Sequence, residues 1–350
     1  MKNRTWLGQI ANRIRRLTQT TPRVFALQVG LTTTCQSSCF YCPRTALRGS
    51  WTDGILSWDV YEKSLAPAFG FFQMIFLQGW GEPLLHPRFW DMAALAKRSG
   101  SQVGFRTNAL LYDEAAIERT LDMELDFISF TLTGASAATH QHHRSGTDFD
   151  LICRRVRQLR ERRSARNKSL YISLNYTLMR SNLQELPAAV ELAATLGADQ
   201  ICVEHMDCIP ILPMEQQVVF LNPQETDPDV VAEAQRIAEQ RSILFSCEPM
   251  TVSPDSRTCS ADPLRGTLYV TTDARIVPCH QMALPPGAVA NFWFHGKPSV
   301  GEPVVLGRAD QQSLLEILRS ENTRQLLQAL TKSEPEYPLL CRNCYKLYGV

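Results

Sequence analysis

The sequence predicts an α/β fold, in which parallel strands alternate with helices, followed by a smaller domain rich in cysteine. Short β-rich runs alternate with helical patterns from about residue 24 to residue 205, and cysteines punctuate the chain from Cys247 onward. The length of 350 residues and the 44% apolar composition are enough for one large core and a smaller second domain. Because strands joined by helices need parallel crossovers, we expect a parallel sheet with helices packed against it.

Each strand of this sheet is predicted from a short run of β-branched and aromatic residues. The strand candidates are Val24–Leu31, Met74–Gln78, Gln102–Arg106, Phe127–Leu132, Tyr171–Leu178 and Gln200–Val203. The helical patterns between them are Trp58–Ala66, Phe89–Arg98, Asp113–Leu121, Phe149–Arg163 and Leu183–Leu196. Both a doubly wound sheet and a partial barrel fit this alternation, and in either one ligands bind at the carboxyl ends of the strands.

The pattern changes after the sixth strand, where prolines interrupt the chain. A helix over Asp229–Arg241, a hairpin of Thr267–Val270 with Arg275–Pro278, and a late helix over Ser313–Leu330 are predicted there. The expected organisation is an N-terminal helix over 1–23, the α/β part over 24–210, a connecting segment over 211–246 and the second domain over 247–350. The N-terminal helix fits either a membrane surface or, as we favour, packing against the core.

Charge and cysteine usage restrict the partners and the compartment. The 36 basic and 35 acidic side chains give a formal charge of +1, which offers no argument for a nucleic-acid partner. No apolar run reaches the roughly 18–20 residues of a membrane-spanning helix. Eleven cysteines, an odd number, without a signal peptide favour metal-bound or buried thiols in a reducing compartment, so we expect a cytoplasmic protein.

Three cysteines follow the first strand on one loop. Cys35, Cys39 and Cys42 are spaced C-x3-C-x2-C, a pattern that can ligate three irons of a [4Fe–4S] cubane and leave the fourth iron open. Thiolates select iron–sulfur clusters or zinc. A structural zinc site would want a fourth ligand close by, and none is present. The loop is therefore predicted to bind a cluster.

This motif, its position after strand one and the strand–helix alternation resemble the radical S-adenosylmethionine (SAM) superfamily. The resemblance covers roughly residues 24–205 and implies a partial (β/α)6 barrel. It also implies that the open iron chelates the amino and carboxylate groups of SAM. One electron from the reduced cluster would then give methionine and a 5′-deoxyadenosyl radical.

The resemblance assigns roles in SAM binding to further residues. Tyr41 matches the aromatic residue that packs against adenine. Gly79, Gly81 and Glu82, in the sequence Gly-Trp-Gly-Glu, are similar to the element that receives the amino group, with Trp80 inserted. Arg144 resembles the arginine that pairs with the carboxylate, a task that suits the guanidinium fork. Weaker matches are Thr107, Asn108, Thr131, where relatives often have serine, and Val203, where a backbone group meets adenine.

A second set of cysteines lies in the C-terminal part. Cys259, Cys279, Cys341 and Cys344 could complete either a second cubane or a zinc site, and Cys247 is a possible substitute for Cys259. The arrangement resembles the twitch domain, a shortened SPASM domain that holds one auxiliary [4Fe–4S] cluster. The glycine usual before the hairpin cysteine in such domains is Ala274 here.

The resemblance implies hydrogen abstraction from an unactivated carbon, with the auxiliary cluster as an electron acceptor. We expect oxidation of a small biosynthetic metabolite, with modification of a ribosomal peptide or protein as the alternative and a non-catalytic iron–sulfur protein as a remote one. A flavodoxin or ferredoxin would supply electrons. Candidate substrate contacts are Glu204, His205 and Asp207 after strand six, and His140, His142 and His143.

Overall fold

The computed structural model describes residues 25–206, 208–253, 259, 266–288, 291–331, 337–342 and 344–350. The predicted N-terminal helix over 1–23 and the candidate Asp207 lie outside the described residues. In the described part of the chain, no helix is both long enough and apolar enough to cross a membrane.

The strands form one large sheet and two small ones. They are β1 (Ala26–Val29), β2 (Ser38–Cys39), β3 (Met74–Phe76), β4 (Gln102–Thr107), β5 (Phe127–Leu132), β6 (Arg144–Ser145), β7 (Tyr171–Thr177), β8 (Gln200–Glu204), β9 (Leu244–Cys247), β10 (Thr267–Val270), β11 (Arg275–Val277), β12 (Asn291–Phe294), β13 (Lys297–Val300) and β14 (Gly307–Arg308). Within the described ranges, the large sheet has ten strands in the order β14-β11-β10-β1-β3-β4-β5-β7-β8-β9. Two short pairs, β2 with β6 and β12 with β13, lie apart from it.

The predicted α/β fold is confirmed, and all six predicted strands are present as β1, β3, β4, β5, β7 and β8. The structure adds a seventh strand, β9, in parallel to β8, across the predicted boundary between the connecting segment and the second domain. It also joins the two predicted parts, because β10 of the C-terminal hairpin pairs in parallel with β1. The hairpin therefore extends the sheet of the barrel.

The longer helices share the main core with the strands of the large sheet. They are α1 (Pro43–Ala46), α2 (Phe89–Lys97), α3 (Glu114–Asp122), α4 (Ala137–His143), α5 (Phe149–Ala165), α6 (Leu186–Leu196), α7 (Leu212–Glu215), α8 (Asp227–Arg241), α9 (Leu314–Arg319), α10 (Glu321–Thr331) and α11 (Leu339–Arg342). Two predicted helices differ in form. The late helix is broken into α9 and α10 at Ser320, whose backbone is extended, and the first is a π-helical turn over Val60–Leu65 that tightens to 3-10 over Ala66–Phe71.

Alternation along the central strands separates the core from the site. On β5, the side chains of Ile128, Phe130 and Leu132 are fully buried in the core. The side chain of Thr131, between Phe130 and Leu132, lines the interior cavity instead. The same alternation on β7 buries Tyr176 and turns Thr177 into the cavity. Successive side chains of a strand point to opposite faces, so each central strand supplies both the core and the site.

The conformation of the hairpin turn between β10 and β11 explains why glycine is usual at the position of Ala274. Ala274 has φ +65°, in the left-handed region where glycine carries no steric penalty. The turn is closed by hydrogen bonds from Ala274 N to Thr271 O (3.0 Å) and from Thr271 N to Arg275 O (2.9 Å). A side chain at this position costs about 1 kcal/mol, yet the turn still forms.

Candidate active site and auxiliary cysteine site

The three cysteines of the first motif line one cavity of about 490 Å³ at the carboxyl ends of the barrel strands. Cys39 lies on β2 and pairs with Arg144 on β6, while Cys42 directly precedes α1. The loop is fixed further by Phe40 N, which donates to His143 O at 2.8 Å. The structure therefore brings Cys35, Cys39 and Cys42 to the place that the spacing predicts.

The environment of these thiols fits ligation of a positively charged metal centre. Burial is the main reason that the pKa of Cys35 is raised and that of Cys42 rises to about 12, and neighbouring Cys39 adds to both shifts. Thiolate is the form that ligates metal. Cys35 and Cys42 therefore need the positive charge of a metal centre to deprotonate readily. This donor set fits an iron–sulfur cluster.

The Gly-Trp-Gly-Glu element packs directly against the loop that leads to Cys35. A Cβ atom on Gly81 would lie 2.5 Å from Thr34 O and overlap Thr32 O as well, and one on Gly79 would lie 2.6 Å from the hydroxyl of Tyr269. Glu82 N donates to Thr34 O at 2.9 Å. Only glycine allows this approach of two backbones, which sets Glu82 beside the cysteine loop.

Glu82 and Arg144 place opposite charges in the same cavity. The carboxyl of Glu82 is 3% exposed and accepts hydrogen bonds from Thr107 Oγ1 and Asn108 N, each at 2.8 Å. Burial nevertheless outweighs these bonds and raises the pKa of Glu82 to about 7. The guanidinium of buried Arg144 donates to Thr131 O, and its Nε has no hydrogen-bond partner within the described residues. Such a pair complements the amino and carboxylate ends of an amino acid.

The other residues assigned from the resemblance divide into two groups. Tyr41, Thr107, Asn108 and Thr131 line the cavity, and the phenol of Tyr41 is hydrogen-bonded to the side chain of Thr177. Val203 is buried in the core and is not part of the cavity wall, and its carbonyl accepts Glu248 N at 3.0 Å. The assignment of Val203 to adenine stays a prediction.

The predicted substrate contacts also divide. Glu204 and His205 line the cavity, but Glu204 is held in a two-contact ion pair with Arg106, each contact 3.0 Å long. The backbone of His205 donates to Glu248 Oε2 at 2.7 Å. The three candidate histidines on α4 do not line the cavity; they are His140, His142 and His143.

Several cavity residues were not predicted. Gln28 on β1, Gln78 after β3 and Arg106 on β4 are polar side chains on otherwise apolar strands, and all of them line the cavity. This interruption of the apolar pattern is a signal that could have found them. Glu248 and Lys346 also line the cavity, and nothing in their local sequence indicates it.

The second cysteine set surrounds a smaller cavity of about 40 Å³. Cys259, Cys279, Cys341 and Cys344 all line it, together with apolar neighbours such as Met282. Burial raises the pKa values of the last three thiols to about 12, with the neighbouring cysteines as further causes. Four thiols around one cavity fit a metal centre with four thiolate ligands.

Cys247, the substitute considered for Cys259, does not line this smaller cavity. It lies on β9, and its thiol donates to Glu248 O at 3.3 Å.

Among the described residues, no group of three or more His, Cys, Asp or Glu side chains is arranged to hold a single metal ion directly. The two cavities are adjacent, since Cys279, His280 and Lys346 line both.

Two family models match the sequence that forms these two sites. Residues 29–193 match the radical SAM superfamily, and residues 259–345 match SPASM, an iron–sulfur cluster-binding domain. The chain belongs to the radical SAM superfamily of enzymes and carries a C-terminal SPASM-like domain. Its cofactors are a [4Fe–4S] cluster with SAM in the barrel and an auxiliary iron–sulfur cluster in the C-terminal domain.

Individual relatives are distant in sequence but extensive in coverage. The tungsten-containing aldehyde ferredoxin oxidoreductase cofactor-modifying protein of Pyrococcus furiosus is 24% identical over 84% of this chain and 81% of its own length. A PqqA peptide cyclase of Methylorubrum extorquens is 22% identical over 80% of this chain and 72% of its own length. Among solved structures, Streptococcus suis SuiB bound to S-adenosylmethionine has a TM-score of 0.66 at 12% identity, covering 96% of this chain and 75% of SuiB. SuiB bound to its precursor peptide SuiA has a TM-score of 0.64, also at 12% identity, covering 94% of this chain and 71% of SuiB.

Proposed function

We propose that this enzyme is a maturase that oxidises a residue of a peptide or protein by radical SAM chemistry. The observation that carries the proposal is the shared wall between the two cavities. Cys279 and His280 border both the cavity that contains the first cysteine motif and the smaller cavity of the second set. A substrate bound in the larger cavity would therefore lie between SAM and a second redox centre.

Different residues around the larger cavity would bind the cluster and SAM. Cys35, Cys39 and Cys42 would ligate three irons, Glu82 would receive the amino group of SAM, and Arg144 would pair with its carboxylate. Tyr41 would pack against adenine. When bound, this group supplies a 5′-deoxyadenosyl radical that removes a hydrogen atom from an unactivated carbon.

The second cysteine set supports oxidation as the outcome. Four thiolates, from Cys259, Cys279, Cys341 and Cys344, would ligate every iron of a cubane and leave none for substrate. Such a centre is suited to accept one electron from the substrate after hydrogen abstraction, while the substrate releases a proton. The sum is a two-electron oxidation of the substrate. A flavodoxin or ferredoxin would return electrons to the barrel cluster.

The comparisons fit a peptide substrate better than the small metabolite that the sequence favoured. One relative is a peptide cyclase, and a structural neighbour was solved with a precursor peptide. The cavity also suits a polar chain, because Gln28, Gln78 and the Arg106–Glu204 ion pair line its wall. Peptide amides provide both donors and acceptors for such a wall.

SAM cleavage is the first test. Anaerobically reconstituted protein should release 5′-deoxyadenosine with dithionite and SAM, whereas the Cys35→Ala, Cys39→Ala, Cys42→Ala variant should release none. Cys247→Ala is the matched control, because its thiol lines neither cavity. Equal release from the triple variant and the wild type would refute the ligand assignment.

Deuterium transfer then tests the substrate class. A host extract prepared from cells grown in deuterated medium is separated by size into a peptide fraction and a metabolite fraction. Each is incubated with the enzyme and unlabelled SAM. We expect deuterium in 5′-deoxyadenosine from the peptide fraction, and label from the metabolite fraction alone would reject the peptide proposal.

A further inference from the structure

The chain beyond the second cysteine set is fastened to the barrel by polar contacts. After Cys344, the hydroxyl of Tyr345 donates to the carboxyl of Glu215, and the ammonium of Lys346 contacts Glu248 Oε1 at 2.6 Å. The carbonyl of Tyr348 accepts Ser253 N at 3.0 Å. These contacts hold the auxiliary site against the mouth of the barrel.

Lys346 occupies a place shared by both sites. It is 8% exposed, lies two residues after Cys344, and lines both the larger cavity and the smaller cysteine cavity. A lysine is rarely buried to this extent unless its charge is paired. Its partner Glu248 supplies that charge.

Glu248 is held by the barrel. Its backbone N–H donates to Val203 O at 3.0 Å, directly after β9, and its Oε2 accepts the N–H of His205 at 2.7 Å. Unlike Lys346, Glu248 lines the larger cavity but not the cysteine cavity. The ion pair thus has its cation at the auxiliary site and its anion at the substrate cavity.

This arrangement has an electrostatic consequence for a cluster bound by the four cysteines. Reduction adds a negative charge to the cluster, so a fixed cation beside it favours the reduced form and a fixed anion opposes it. The effect decreases with distance. Lys346 borders the cysteine cavity and Glu248 does not, so the cation should have the larger influence.

We propose that the Lys346–Glu248 ion pair sets how readily the auxiliary cluster accepts an electron, with Lys346 favouring acceptance and Glu248 limiting it. The proposal deepens the proposed function and rests on its assignment of the four cysteines to a cluster. Lys346 is a positioning residue and not a catalytic one, because its charge acts on the cluster and on Glu248 and not on the reacting atoms.

The test measures the cluster itself and not turnover. In the full chain carrying Cys35→Ala, Cys39→Ala and Cys42→Ala, only the auxiliary cluster remains, and electron paramagnetic resonance reports its reduced fraction at potentials set with redox mediators. Lys346→Met, Lys346→Arg, Glu248→Gln and Tyr345→Phe are made in this background. Tyr345→Phe is the matched control, since it removes a contact of the same segment without changing charge.

Opposite shifts are the expected result. At a fixed potential, Lys346→Met should lower the ratio of reduced to oxidised cluster about tenfold, the effect of a unit charge roughly 12 Å away at an effective dielectric constant of about 20. Glu248→Gln should raise the ratio by about sixfold, because its carboxylate is 2.6 Å beyond the lysine ammonium and so roughly 15 Å from the cluster. Lys346→Arg and Tyr345→Phe should leave it unchanged.

The outcomes separate this proposal from the function on which it rests. Unchanged ratios, or shifts of the same sign in Lys346→Met and Glu248→Gln, would overturn it even if iron content is normal. If the background protein holds no cluster, the ligand assignment and this proposal both fail. If Lys346→Met alone loses its iron, the ratio of reduced to oxidised cluster in Glu248→Gln decides. A higher ratio supports the proposal, and an unchanged or lower ratio overturns it.

Discussion

Replacement of Glu82 by glutamine should stabilise the protein without ligands and weaken SAM binding at the same time. Burial raises the pKa of this carboxyl from its ordinary value of 4.5 to about 7. At a pH above 7, keeping the ionised carboxylate in the folded state therefore costs about 3 kcal/mol relative to the unfolded chain. Glutamine has no charge to bury.

Hydrogen bonding reduces the gain but does not reverse it. Glu82 accepts from Asn108 N and Thr107 Oγ1. The amide oxygen of glutamine can keep the first bond, while its NH₂ group can donate to the threonine hydroxyl. Allowing about 1 kcal/mol for poorer geometry, we expect Glu82→Gln to stabilise the ligand-free protein by about 2 kcal/mol at pH 8.

The pH dependence gives the prediction its sign. The folded protein binds a proton at Glu82 more tightly than the unfolded chain does, so its stability decreases as pH rises from about 4.5 to about 7. This loss is absent from the glutamine variant. The difference between variant and wild type should therefore be near zero or negative at pH 4.5 and positive at pH 8.

SAM binding should change in the opposite direction. Loss of a charge-assisted hydrogen bond to the amino group costs about 1.5–3 kcal/mol, a factor of roughly 10–150 in affinity. Denaturant unfolding of the ligand-free protein at both pH values and calorimetric titration of the reconstituted protein with SAM provide the measurements. The exposed Glu225→Gln is the matched control. A stability difference independent of pH, or an unchanged affinity, would refute the reasoning.

Three other predictions test separate parts of the site. The reconstituted chain should contain about eight irons, two cubanes of four, and the triple variant at Cys35, Cys39 and Cys42 about four; zinc in that variant, or no metal, would reject an auxiliary cluster. Gly81→Ala should abolish SAM binding and destabilise the fold by about 1–3 kcal/mol through overlap with Thr32 O and Thr34 O, whereas Gly49→Ala, with open space around its Cβ, should do neither. Arg144→Met should weaken SAM binding at least as much as Glu82→Gln does, because its guanidinium is buried and unpaired at Nε in the described part of the chain; calorimetric titration would expose an unchanged affinity.

Much of the site could be predicted because its signals are local in sequence. The cysteine loop and the Gly-Trp-Gly-Glu element are short segments whose spacing already restricts the chemistry, and each lies directly after a strand. The carboxyl ends of parallel strands meet at one edge of a sheet, so segments distant in sequence were expected to converge there. The structure places both segments on the wall of one cavity.

The features that were missed depend on long-range pairing. Leu244 at the start of β9 is exposed and the other three residues are only half-buried, so the apolar pattern of this strand is too weak to predict it. The pairing of β10 with β1 sets Ala26 opposite Thr267, two residues that are far apart in the sequence. Periodicity indicates that a segment is a strand but does not identify its neighbour. Lys346 likewise lines both cavities although it is far in sequence from the barrel strands.

The continuity of the sheet accounts for the short distance between the two sites. Strand β10 takes the place beside β1 along its full length, from Ala26 opposite Thr267 to Val29 opposite Val270. Tyr269 of β10 thereby lines the larger cavity, and β11 runs antiparallel back along β10 to Cys279, which lines the same cavity. Because backbone hydrogen bonds fix these strands in one register, Cys279, two residues after β11, cannot move away from the barrel without disrupting the sheet. A cluster ligated by Cys279 would thereby be held at the wall of the larger cavity.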